Sequence, residues 1–145
     1  MVERLGEIFL RHKLVTAEQL ETALQEQTHT GEFLGEILMR LCGVKEEELL
    51  RVLGEQFKTR FVTLNHVRVN PQVLKLVPRN LALEYHFFPI EMRAGVLLIA
   101  VNNPLDMWPM SVLRERLNLM DVQIVLAKKE DIREAIQKHY GPESL

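Results

Sequence analysis

The chain has 145 residues, of which 47% are hydrophobic and 26% charged, and its formal net charge is −2. That balance suits a globular protein with its own core and excludes a disordered chain. It provides no strongly basic face for duplex nucleic acid, although a small dianionic ligand needs only one or two local cations.

Further classes fall away quickly. Cys42 is the only cysteine, so an intramolecular disulfide is excluded. The first residues carry charge and no leader-like apolar core. The apolar run over 94–101 is far short of the roughly 20 residues that cross a bilayer. A cytoplasmic protein without membrane insertion is the expectation.

An internal repeat dominates the first 56 residues. Shifted by 29 positions, residues 4–27 align with residues 33–56. Identical pairs are Leu5/Leu34, Gly6/Gly35, Glu7/Glu36, Ile8/Ile37, Arg11/Arg40 and Val15/Val44, followed by Glu18/Glu47, Leu20/Leu49, Leu24/Leu53, Glu26/Glu55 and Gln27/Gln56. Leu10/Met39 is a volume-conserving swap. Chance does not produce such a series.

Each copy predicts two helices. Leu5, Ile8, Phe9 and His12 recur at helical spacing, and Leu14-Val15 leads to Thr16, which with Gln19 forms a capping box for the second helix. Leu20, Ala23, Leu24 and Gln27 then share one face. The second copy repeats this with a turn at Gly43 and a stripe of Leu49, Val52, Leu53 and Gln56. Its second helix opens on Glu46-Glu47-Glu48, where the helix dipole favours carboxylates. Two hairpins joined by a link over 28–32 should pack as a four-helix unit.

After Phe57 the pattern changes. Residues 60–64 read as a short strand. Asn70 can cap a helix starting at Pro71, which Pro78 interrupts before a further turn or two over 81–85. Residues 87–92 and 96–101 form a strand hairpin turning at Arg93-Ala94-Gly95. A loop over 102–106 leads to a helix that tolerates Pro109 only in its first turn, with Val112, Leu113 and Leu117 facing inward. Residues 122–126 are a third strand, residues 131–139 a closing helix, and 142–145 a tail. The expected fold is α+β: duplicated helical hairpins over 1–57, then a small α/β subdomain over 58–141 with a three-stranded, mainly antiparallel sheet.

Catalytic chemistry finds no support. The nearest approach to a phosphate loop, Gly31 to Gly35, has the wrong spacing and lacks the Lys-Ser/Thr pair. His12, His29, His66, His86 and His139 are scattered without metal-ligand spacing. No serine or cysteine has a nucleophile's surroundings, and the acidic run at 46–48 is a solvated helix start. The chain is expected to be no enzyme and to need no cofactor or metal.

Helix packing accounts for Leu20, Leu24, Leu49 and Leu53. It leaves over Gly6 and Gly35 at equivalent helix starts, where glycine costs about 1 kcal/mol relative to alanine, and Gln27 and Gln56 on stripes of core leucines. Glycine there invites close approach, by another helix or by a ligand.

These repeated positions resemble the tandem motif of the MshEN domain, the N-terminal domain of type II secretion and type IV pilus assembly ATPases. Arg4-Leu5-Gly6, Leu10, Leu14-Val15, Leu20, Leu24 and Gln27 are similar to its first half. Leu34-Gly35, Leu38-Met39, Val44, Leu49, Leu53 and Gln56 follow the second. Val77-Pro78, Asn103-Pro104-Leu105-Asp106 and the closing 130–136 segment followed by Tyr140 extend the likeness.

The resemblance implies a regulatory receptor domain in which cyclic di-GMP lies extended across both motifs. Arg4 would bond a guanine edge or phosphate, Leu5, Leu24, Leu34 and Leu53 would supply apolar faces, Leu10, Leu20 and Leu49 belong to the same implied site, and Gln27 and Gln56 would donate and accept hydrogen bonds. Gly6 and Gly35 would admit ligand to the backbone, and Phe33 and Asn103 complete the implied site. The implied protein partner is a secretion or pilus assembly machine, and no DNA is involved. Departures from the pattern are Phe33 where a basic or polar residue is usual, Lys13 and Cys42 in place of glycines, Gly43 in place of an apolar residue, and Asn103 where aspartate is frequent. The alternative implied by related domains is a docking module that works without nucleotide, with Phe33, Trp108 and Met110 exposed for a partner.

Overall fold

The computed structural model describes residues 4–104 and 108–141. The expected tail at 142–145 and part of the expected loop, Leu105 and Asp106, lie outside the described residues. The chain divides into two compact units, residues 1–58 and 59–145.

The first unit holds α1 (Leu5–Arg11), α2 (Ala17–Thr30), α3 (Leu34–Cys42) and α4 (Glu46–Phe57). Local chemistry sets the ends. Thr16 and Gln19 form the expected capping box, with Gln19 N donating to Thr16 Oγ1 at 3.1 Å and Thr16 N to Gln19 Oε1 at 2.9 Å. At α4, Lys45 N donates to Glu48 Oε1 at 2.9 Å. Helix α2 continues to Thr30 and stops at Gly31 (φ 71°), so the link between hairpins is shorter than the expected 28–32.

The copies leave their first helices differently. In copy one Lys13 takes the left-handed conformation (φ 58°), with Lys13 N on Leu10 O and Leu14 N on Phe9 O, both at 3.0 Å. In copy two the left-handed residue is Gly43 (φ 69°), one repeat position later, and α3 runs to Cys42. The turn has moved to the glycine.

Helix α1 packs on α4, and α2 on α3. Each copy therefore sets its first helix against the other copy's second. Two ion pairs obey the same exchange: Arg11 with Glu55, and Arg40 with Glu26 at 3.7 Å. Since Arg11/Arg40 and Glu26/Glu55 are repeat-equivalent, exchanging the copies maps each pair onto the other, which is the signature of an approximate internal dyad. Ile8, Phe9, Ile37, Leu38, Leu50 and Leu53 are fully buried.

The second unit contains a 3-10 turn (Leu64–His66), α5 (Pro71–Leu76), α6 (Arg79–Tyr85), β1 (Phe87–Arg93), β2 (Val96–Val101), α7 (Trp108–Arg116), β3 (Asp121–Leu126) and α8 (Lys129–Tyr140). Asn70 Oδ1 accepts from Gln72 N at 3.0 Å, the expected cap before Pro71. The β1–β2 turn uses Ala94 (φ 49°) and Gly95 (φ 81°), both left-handed, as a two-residue hairpin of the primed type requires.

The sheet order is β1-β2-β3. The hairpin β1–β2 is antiparallel and β2–β3 parallel, so the sheet is mixed. The parallel ladder follows from the connection through α7, which returns the chain to start β3 at the same end as β2.

Residues 60–64 form no named strand. They contribute one parallel bridge, Phe61 to Leu126, with Val62 N on Leu126 O at 2.8 Å and Leu126 N on Arg60 O at 2.7 Å. Asn70 N reaches Ile90 O at 3.2 Å on the opposite edge, where Pro89 is tolerated because β1 is an outer strand. Helix α8 covers the sheet with Ile132, Ala135 and Ile136. Tyr140 closes it by donating its hydroxyl to Val77 O at 2.7 Å, and burial pushes that hydroxyl's pKa up.

Candidate functional site

The repeat-equivalent glycines show the first feature of the site. A Cβ built on Gly6 would meet Leu20 Cδ1 at 2.9 Å and Cδ2 at 3.1 Å. One on Gly35 would meet Leu49 Cδ1 at 2.7 Å, Leu49 Cδ2 at 2.9 Å and Phe33 Cε1 at 2.9 Å. Leu20 and Leu49 are themselves repeat-equivalent. Of the two kinds of close approach that the sequence left open at these glycines, the structure shows the one by a neighbouring helix: each hairpin closes by seating the same leucine on the same glycine.

The structure thus assembles two matching clusters. One joins the Arg4-Leu5-Gly6 start of α1 to Leu20 of α2, and the other joins Phe33-Leu34-Gly35 of α3 to Leu49 of α4. Neither Arg4 nor Phe33 makes a side-chain cap, and of the first three N–H groups in each helix only the third, of Glu7 or Glu36, is shown turning back to the N-cap residue's own backbone oxygen, at 3.0 Å. Arg4 is exposed and Phe33 half-buried.

The leucines expected to offer apolar faces fall into different classes. Leu24 is 41% exposed, while Leu5 and Leu34 keep 8% and 9% and Leu53 only 1%. Leu53 belongs to the core. Leu49 is likewise buried beneath Gly35, Leu20 is half-buried, and Leu10 is exposed. Gln27 Nε2 donates to Glu32 O at 3.1 Å, tying α2 to the link that delivers Phe33. Gln56 is half-buried on α4. Asn103 is half-buried in the second unit, after β2.

Sequence reasoning missed a cleft of about 420 Å³ in the first unit, lined by His12, Leu14, Glu48, Arg51, Val52 and Glu55. Its wall includes the acceptor of the Arg11 ion pair. His12 Nε2 lies 3.1 Å from Glu55 Oε1, and this hydrogen bond, aided by Arg11, holds the Glu55 carboxyl below its usual pKa. The signal was in the repeat: Arg11/Arg40 and Glu26/Glu55 are identical in both copies, and identical opposite charges invite pairing. No helix among the described residues is long and apolar enough to cross a membrane, and no group of three or more His, Cys, Asp or Glu among them is placed to hold a metal ion.

Duplicated helical hairpins followed by a three-stranded mixed sheet define a class of compact α+β modules. Within it, the MshEN domain family model matches residues 57–144, which is most of the second unit. The chain belongs to the MshEN domain family. The solved structure of MshE with cdg shares the fold across both units, with a TM-score of 0.85 and 27% identity over 95% of this chain and 99% of that one. The N-terminal domain of XpsE, 19% identical, has the same fold at a TM-score of 0.69, covering 98% of this chain and 100% of that one. Among curated proteins, the type IV pilus assembly ATPase PilB of Myxococcus xanthus is 29% identical over 97% of this chain, and PilB of Thermus thermophilus 29% over 95%. The chain spans only 25% and 16% of those two proteins.

Proposed function

We propose that this domain is a non-catalytic cytoplasmic receptor for cyclic di-GMP, which binds across the tandem motifs of residues 4–27 and 33–56 and relays its presence to a secretion or pilus assembly machine. The observation that carries the reading is the likeness to MshE, solved with cdg (cyclic di-GMP), over both units of the chain. Supporting it is the internal exchange symmetry. A ligand made of two identical halves suits a unit that presents each helix start twice, and the repeat supplies two Leu-Gly segments whose helix starts carry no side-chain cap.

Arg4 is the residue to test. It is exposed at the head of α1, and its guanidinium suits guanine O6/N7 or a phosphate in a forked, charge-assisted contact. Isothermal titration of the whole chain with cyclic di-GMP should show saturable binding, and Arg4→Ala should weaken it by about 1–3 kcal/mol. A flat titration up to high micromolar nucleotide, with the domain folded by circular dichroism, would discard the receptor reading. A docking module working without nucleotide would then be the better account.

A further inference from the structure

The two copies differ most sharply at the residue that opens each motif. The 29-residue offset places Phe33 on Arg4, so one half of the duplicated unit begins with a guanidinium and the other with an aromatic ring. Both residues hold the same backbone role, as N-cap with extended φ/ψ and no side-chain cap bond. Their side chains do different things. Arg4 is exposed, whereas the half-buried Phe33 ring turns back over its own helix start, its Cε1 2.9 Å from where a Cβ of Gly35 would project. Gly35 is thus held between Phe33 and Leu49, and a half-exposed aromatic surface replaces the cation.

These side chains read purines by different chemistry. A guanidinium donates to the O6 and N7 acceptors of guanine, and adenine replaces O6 with an amino donor that such a fork cannot use. An aromatic ring stacks on the π-face of either base and draws little distinction between them. Resting on the receptor reading above, we propose that the two half-sites are unequal: the Arg4 half demands guanine, while the Phe33 half accepts either purine by stacking. The ligand class is then a cyclic dinucleotide with at least one guanine, not cyclic di-GMP alone, and Phe33 is the specificity-determining residue.

The test is isothermal titration of the intact chain with three probes: cyclic di-GMP, the 3′,3′ hybrid cyclic GMP–AMP, and cyclic di-AMP. The expected result is that the first two bind within about 5-fold of each other and cyclic di-AMP at least about 10-fold more weakly, the range a single forked base contact confers. Phe33→Arg should separate cyclic di-GMP from the hybrid by about 10-fold, and Phe33→Tyr, which keeps the ring, should leave their ratio unchanged. If wild type binds cyclic di-GMP but takes the hybrid more than about 5-fold more weakly, the inference fails and the receptor reading stands. If the folded chain binds none of the three, the receptor reading fails and the inference goes with it.

Discussion

Leu24 and Leu53 occupy the same place in two copies of one pattern, yet Leu24 is 41% exposed and Leu53 1%. Their helices explain part of the contrast. Opposite the shared stripe, α2 carries Glu21 and Gln25, where α4 carries Leu50 and Gly54, both buried. Helix α4 is therefore apolar on two sides and sits in the core, while α2 buries only Ala23. Duplication preserved the contacts inside each hairpin and released the outward face of one copy. A repeated residue need not repeat its role.

Truncations should separate the copies most widely. Leu53→Ala should cost about 2–5 kcal/mol, because it opens a cavity in a packed core, whereas Leu24→Ala should change stability by about 0.5 kcal/mol or less. Urea unfolding of the two variants measures the gap, and equal costs would break the comparison.

The glycines come next. Alanine at Gly35 pushes on Leu49, which is buried and has little room, so overpacking of about 1–3 kcal/mol should outweigh the gain in helix propensity. Alanine at Gly6 pushes on the half-buried Leu20, whose methyls can swing aside, and should be close to neutral. Midpoints from thermal melts will rank the pair.

A smaller difference of opposite sign is expected at the turns. Lys13→Gly should raise stability by about 1 kcal/mol by relieving a left-handed lysine, and Gly43→Lys should lower it by a similar amount.

The weakest effect concerns acid. Glu55 is held below the ordinary carboxylate value of 4.5 by the His12 hydrogen bond first and by Arg11 after it. Because its proton binds more readily in the unfolded chain, its contribution is present above pH 4.5 and is lost as pH falls through the lower folded value. Glu55→Gln should therefore flatten the acid limb of the stability profile slightly, as followed by circular dichroism between pH 6 and pH 3.

Much of the fold was legible because it is written locally. Thr16 and Gln19, Asn70 before Pro71, and Ala94-Gly95 each name a cap or turn through the hydrogen bonds and dihedral angles they favour. Residues 60–64 were harder. Their aromatic and β-branched residues suit a strand, but strand formation needs a partner along its length, and β3 meets them only at Phe61. The candidate site was legible as a set of repeated positions and not as a surface. Gly6 and Gly35 stood out in sequence, but the leucines that require them, Leu20 and Leu49, lie 14 residues further along and meet them only when each hairpin closes.

By itself the sequence determined the duplication, the caps at Thr16 and Asn70, and the α-to-β change after Phe57, because spacing and short-range hydrogen bonding carry that information. Tertiary structure alone decided that α1 pairs with α4 and α2 with α3, that Leu53 is core and Leu24 surface, and that β3 runs parallel to β2. Those outcomes depend on which apolar faces meet across long stretches of chain, and identical residues in a repeat take different partners once the copies fold against each other.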